Sequence, residues 1–82
     1  MNWDVLRIFL AVARTGSISG GARKLGVQHS TVSRRMRQLE QKLGARLIER
    51  KKGGYELTPA GENVKQAATH MESEAIGVDQ SV

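Results

Sequence analysis

The chain has no cysteine, which excludes a disulfide framework, a thiolate nucleophile and any metal site built on thiolates. It has only two histidines, His29 and His70, and its acidic residues are scattered along helical stretches without a convergent cluster. Neither a metal centre nor a nucleophile with an adjacent base can be assembled from such a set, so no enzyme, bound metal or cofactor is expected. No apolar run approaches the length needed to span a bilayer and nothing suggests secretion, so a soluble, cytoplasmic protein is expected. Aromatic residues are scarce as well, Trp3, Phe9 and Tyr55 being the whole supply. With 82 residues there is room for one small domain and no second core.

What the chain does have is positive charge, unevenly placed. The formal net charge of +5 favours a polyanionic partner. Arg34, Arg35, Arg37, Lys42, Arg46, Arg50, Lys51 and Lys52 are offset over their own stretch only by Glu40 and Glu49. Near the end of the chain the balance reverses, with Lys65 outnumbered by Glu62, Glu72, Glu74 and Asp79. A polyanion is therefore expected at the middle of the chain, and the last segment is expected to serve another purpose.

Local signals divide the chain into helices and one hairpin. Asn2 can cap a first helix, with Asp4 in its first turn, whose apolar face is Leu6, Phe9, Leu10 and Ala13 and whose end is Gly16. Ser17 caps a short second helix from Ile18 to Leu25. Its interior glycines, Gly20 and Gly21, each cost about 1 kcal/mol relative to alanine. Gly21, beside Ala22, suits a close helix contact, whereas Gly20 has no evident role. A third helix is predicted from about His29 to Leu43, stopping at Gly44. Along it Val32, Met36, Leu39 and Leu43 recur at steps of four, three and four, an inward stripe. Leu25 and Val27 flank the turn and are expected to plug the space between the second and third helices.

Residues of about 18–37 carry the pattern of a helix-turn-helix. Two helices crossing steeply need a methyl-sized side chain at closest approach, a turn residue that tolerates positive φ and an apolar anchor on the second helix. Ala22, Gly26 and Val32 stand at those places. The face left outward, His29, Ser30, Ser33, Arg34, Arg37 and Gln41, is rich in hydrogen-bond donors and sized for a major groove. An ordinary helical hairpin with solvated charges is the rival, and the joint placement of Ala, Gly and Val beside a basic face favours the DNA-reading motif.

Beyond Gly44, two β-favouring runs around Gly53-Gly54 read as a hairpin with a basic tip, the form of a wing that reaches a phosphate backbone or a minor groove. Lys51 and Lys52 taken singly are read equally well as solvated residues that keep an edge from aggregating. Thr58 followed by Pro59 marks the start of a long fourth helix. Along it Val64, Ala68, Met71, Ala75, Val78 and Val82 follow a strict seven-residue repeat, a stripe narrow enough for a partner helix. Packing on the chain's own core is the alternative. A helix of roughly 20 residues extends about 30 Å, beyond so small a body, so pairing of two copies through Val64, Ala68, Met71, Ala75 and Val78 is expected.

The stretches FLAVARTGSISGGARKLGV, STVSRRMRQLEQKLGARLIER and LTPAG, in that order and spacing, resemble the N-terminal domain of the LysR-type transcriptional regulators and cover nearly the whole chain. The resemblance implies a mainly α fold: a winged helix-turn-helix over 1–58, with a three-helix core and a two-stranded β wing, followed by a linker and dimerisation helix over 59–82. It implies a homodimer binding promoter DNA at inverted-repeat sites. A second, effector-binding domain normally follows in that family, so the chain is expected to stop before it and to carry no small-molecule site. The family's base-contacting positions fall on His29, Ser30, Ser33 and Arg34. At the first of these glutamine is usual, and histidine offers one donor and one acceptor when neutral and a second donor when protonated. Arg34 is the expected bidentate partner of a guanine edge. Ile48 replaces a usual phenylalanine, a change within core packing. Ser17 and Thr31 are expected to cap helices and to contact phosphate, and Arg37, Arg50, Lys51 and Lys52 to add salt-dependent charge in phosphate or minor-groove contacts.

A protein-binding winged helix and an RNA-binding module are the other readings. RNA recognition usually stacks unpaired bases on aromatic side chains, and with only three aromatics, at least two of them expected in the core, composition leans to duplex DNA.

Overall fold

Three of the four helices begin at a residue whose own side chain accepts a hydrogen bond from the first turn. In the computed structural model, which describes residues 2–81 and the side chains of 2–74, helix α1 spans Trp3–Thr15, α2 Ile18–Leu25, α3 His29–Leu43 and α4 Pro59–Ser81. Strands β1, Ile48–Lys51, and β2, Gly54–Leu57, lie between α3 and α4. Asn2 Oδ1 accepts from the Asp4 amide at 3.0 Å, Ser17 Oγ from Gly20 at 2.8 Å and Thr58 Oγ1 from Gly61 at 3.0 Å. The turn between α2 and α3 is closed by Gly26 at φ 69°, a left-handed conformation that a Cβ would strain, with the Val27 amide donating back to Ala22 at 3.1 Å.

The main core gathers around α1. Phe9 and Val12 are fully buried against Ile18 and Ala22 of α2, Val32, Met36 and Leu39 of α3, and Leu47 and Ile48 at the base of the hairpin. Each of these side chains other than Ala22 contributes about 1.5–3 kcal/mol on burial. Gly21 has the role its position suggested, because a Cβ there would lie 2.9 Å from Val12 Cγ2 and 3.1 Å from the Val12 amide nitrogen. Gly20 also has a reason: the space a Cβ would take is filled by the Ser17 Oγ cap, 2.8 Å away, and by Thr15.

Two expected core residues stay outside. Val27 is 39% exposed because the turn directs it to solvent, and Leu25 with Ala22 fills the space between the helices. Leu43 is 38% exposed because its stripe runs on past the point where the body ends beneath Leu39.

The hairpin pairs Ile48 with Leu57, Glu49 with Glu56, Arg50 with Tyr55 and Lys51 with Gly54. Its two-residue tip is Lys52-Gly53, so only one glycine of the expected pair lies in the turn. Gly54 instead opens β2, where the chain passes so close to the α1–α2 corner that a Cβ would sit 2.7 Å from the Gly16 carbonyl oxygen. That carbonyl accepts from the Tyr55 amide at 2.9 Å and ties the hairpin to the body.

Helix α4 packs on its own chain through Val64 and Ala68, two of the residues expected to meet a second copy. Ala68 is fully buried with Leu6 and Leu10 of α1, and Val64 bridges this smaller cluster and the main core. The reason is that α1 is apolar on two sides, and the side turned from α2 needs a cover. A methyl group at position 68 lets α4 come close enough to provide it. Met71 remains exposed, while Ala75 and Val78 of the same stripe lie outside the residues whose side chains are described. Further along, Arg14 Nη1 and Nη2 donate to the two Glu72 carboxylate oxygens at 2.9 and 2.7 Å.

The start of α4 is held at the backbone level. The Leu47 carbonyl accepts from the Thr58 amide at 3.0 Å, the Thr58 hydroxyl donates to the Arg46 carbonyl at 2.6 Å, and buried Gly61 lies where a Cβ would overlap the Leu47 oxygen. Gly61→Ala is therefore expected to destabilise the domain by about 1–3 kcal/mol in urea unfolding, despite alanine's better helix propensity. An unchanged or higher unfolding midpoint would show that the Leu47 backbone is free to move away.

Candidate nucleic-acid interface

Opposite the core, α3 presents a continuous polar face. Ser30, Arg34, Arg37 and Gln41 follow one another at steps of four, three and four, so they line one ridge, and all four are exposed. His29 is exposed at the start of the helix, and Ser33 is half-buried on the edge nearer the core. Arg35 falls outside this ridge, on the flank shared with Gln38 and Lys42. Among the described residues the ion pairs are Arg7 with Asp4, Arg14 with Glu72, Arg46 with Glu40, Lys51 with Glu49 and His70 with Glu74. Arg34, Arg35 and Arg37 thus have no carboxylate of the described residues within 4.0 Å, and their charge is available to a ligand.

The start of α3 differs from that of the other helices. Gln28 occupies the cap position without a side-chain capping bond, and its carbonyl receives the Thr31 and Val32 amides at 3.1 and 3.2 Å. Thr31 is therefore not the cap, which corrects the expectation; it lies three residues inside, half-buried. The His29 and Ser30 amides are first-turn donors with no partner inside the helix, at its positive end. Ser17 does cap α2, and its hydroxyl hydrogen remains available for a further acceptor.

The hairpin's basic residues are not equivalent. Strand alternation puts Lys51 on one face with Glu49 and Glu56, and Lys51 Nζ lies 3.7 Å from Glu49 Oε2. Arg50 is on the other face with Tyr55, and Lys52 stands at the tip. Both are exposed and without an acidic partner among the described residues. Between α3 and the hairpin runs an open groove whose floor is Ile18, Met36, Ile48 and Tyr55 and whose α3 wall carries Arg37 and Gln41.

One residue that the sequence left unassigned holds these two parts together. Glu40 reaches from α3 to the strand entry, where its Oε2 accepts from the Leu47 amide at 2.7 Å and the Ile48 amide at 3.4 Å and lies 3.5 Å from Arg46 Nε. Its side chain is only 16% exposed. In the sequence it looks like one more charge offsetting a basic stretch. The available clue is its position four residues after Met36, on the edge of the inward stripe.

No described helix is long and apolar enough to cross a membrane, and the described residues contain no group of three or more His, Asp or Glu placed to hold a metal ion. Three helices around a common core, with a two-stranded wing following the third, define a winged helix-turn-helix domain. Residues 3–62 match the profile of the bacterial regulatory helix-turn-helix protein, lysR family, and the chain belongs to that family. An uncharacterized HTH-type transcriptional regulator of Mycobacterium tuberculosis is 43% identical over 72 residues, 88% of this chain and 23% of that protein. The HTH-type transcriptional regulator YofA of Bacillus velezensis is 49% identical over 66 residues, 80% of this chain and 23% of its own length. The chain thus spans about a quarter of the length of these curated relatives. Among solved structures, the BenM_DBD/benA site 1 DNA complex matches with a TM-score of 0.92 at 31% identity, covering 99% of this chain and 94% of that one. The CbnR_DBD-DNA complex matches with a TM-score of 0.86 at 35% identity, again over 99% and 94%.

Replacing Glu40 by alanine would strand the Leu47 amide in a partly buried place, a loss of about 1–3 kcal/mol by urea unfolding. Glu40→Gln retains an acceptor and is expected to lose less. Equal stability of all three proteins would mean that the strand entry is held without this carboxylate.

Proposed function

We propose that this chain reads duplex DNA for a bacterial transcriptional regulator, with α3 in the major groove and the wing on the phosphate backbone or in the adjacent minor groove. The observation that carries the proposal is the ridge Ser30, Arg34, Arg37 and Gln41, which faces away from the core and whose arginines have no carboxylate partner among the described residues. Free guanidinium groups aligned along an exposed helix lose no internal pairing when they meet phosphates or base edges. Likeness to the domains of the BenM and CbnR DNA complexes supports duplex DNA as the partner. The function is binding rather than catalysis, in the cytoplasm where bacterial promoters lie.

Roles are assigned by position. His29, Ser30, Ser33 and Arg34 contact bases, with Arg34, directly opposite the core, forming the bidentate pair to guanine. The open first-turn amides of α3 receive a phosphate, with Thr31 and Ser17 beside their helix starts as further donors. Arg37, Arg50 and Lys52 supply charge, and Lys51 supplies less because Glu49 lies beside it. Residues 1–58 form the reading head and 59–82 the pairing helix of a homodimer on an inverted-repeat site. Since Val64 and Ala68 face α1, the pairing surface is the exposed flank with Ala67 and Met71.

The test begins with duplexes selected from a random pool by this chain. On the selected site Arg34→Ala is expected to lose about 1–3 kcal/mol of binding, and far less on unselected DNA, as read by fluorescence anisotropy. Equal losses on both would reduce Arg34 to a phosphate contact, and failure to enrich any duplex would refute the function. Joint replacement of Arg50 and Lys52 by alanine is expected to lower the slope of log affinity against log salt by about 2 while sequence preference is kept. An unchanged slope would remove the wing from the interface.

A further inference from the structure

Helix α4 meets the reading head at three levels. At its base the Thr58 cap and the tight backbone approach at Gly61 fix its starting point. In the middle Val64 and Ala68 rest on Leu6 and Leu10 with Trp3 packed beside them, an apolar contact with the Ala68 methyl at its centre. Such a contact fixes distance better than orientation, because apolar burial is non-directional. The third level is the Arg14 and Glu72 pair, the last place where a described α4 side chain is bound to the body. Thr69, His70, Met71, Ser73 and Glu74 are all exposed. Here two parallel N–H···O bonds, 2.9 and 2.7 Å long, join a planar guanidinium to a planar carboxylate, and this geometry fixes orientation as well as distance.

We infer that the Arg14–Glu72 fork sets the angle at which α4 leaves the reading head, and so determines which spacing between two half-sites a dimer accepts. The inference rests on the proposed reading of paired half-sites. Its lever is short and steep. Two heads lie about one helical turn of DNA apart, ~34 Å, so a tilt of ~6° at the pivot moves a head by about the rise of one base pair. Apolar contacts resist such a tilt only weakly, and a bidentate fork beyond them adds a directional restraint. Hydrogen bonds from Arg14 hold the Glu72 carboxyl below the ordinary carboxylate range, with Lys24 of α2 adding a weaker attraction. Arg14 and Glu72 are thus positioning residues for spacing specificity and touch no base.

The test uses inverted repeats of the half-site that this chain selects, in duplexes whose gap differs by single base pairs. The unaltered chain is expected to favour one gap. Glu72→Gln and Arg14→Gln are expected to reduce that preference by about fivefold, the upper range for an exposed pair, while affinity for a single half-site stays within about twofold. Exchange of the two charges, Arg14→Glu with Glu72→Arg, should restore the preference. Because the chain has no cysteine, spin labels at Ser19→Cys on α2 and Ser73→Cys on α4 read the angle directly, and their distance distribution should broaden in Glu72→Gln. An unchanged distribution, or a broadened one with gap preference intact, overturns the inference while leaving the DNA-reading function standing. Failure to select any duplex instead overturns that function, and the spacing role with it.

Discussion

The enclosure of α1 is the constraint on which the rest of this domain depends. Leu6, Ile8, Phe9, Leu10, Ala11 and Val12 are all buried, so a helix of thirteen residues must be covered from more than one side. The α2–α3 pair covers the side of Phe9 and Val12, and α4 covers the side of Leu6 and Leu10. A chain this short has little apolar surface to spare, so each covering element is drawn in as far as sterics allow. Gly21 admits α2 to the Val12 backbone, Ala68 admits α4 to α1, and Gly61 admits the base of α4 to the Leu47 carbonyl.

This arrangement leaves the outer face of α3 free of structural duty. Val32, Met36 and Leu39 anchor the helix from one side, and the opposite ridge is made of side chains that the fold does not use. Acidic residues near it have been taken up elsewhere: Glu40 is turned back to the strand entry and Glu49 lies against Lys51. The basic ridge therefore keeps its charge without an ion-pair partner among the described residues. Glu40 also makes the wing follow α3, since the carboxylate that belongs to the helix is the acceptor for the first amides of the hairpin. Charge left open on one element and charge consumed in joining two elements together make the surface both attractive to a polyanion and defined in shape.

Much of this is legible along the chain because it is local. The caps Asn2, Ser17 and Thr58, the left-handed Gly26 and the bounds of α3 depend on a residue and its neighbours within a turn, and each is where the sequence places it. Periodicity was a weaker guide. It pointed Leu43 inward correctly as a direction, yet no body lies beneath the last turn. It found the stripe of α4 and assigned Val64 and Ala68 to a second copy, although the same two residues cover α1 of their own chain. A helical repeat states which residues share a side and carries no information about what that side meets.

By itself, then, the sequence determined the local conformations, the break at Gly26, the basic ridge of α3 and the hairpin, because each is decided by interactions within a few residues. Only the tertiary structure decided the roles of Glu40, Gly20, Gly54 and Gly61 and the joining of Arg14 to Glu72. Those roles depend on which backbone or side chain arrives from another part of the fold, as with a carboxylate and a guanidinium 58 residues apart. Their physical reason is contact between surfaces that become neighbours only after α1 has been enclosed.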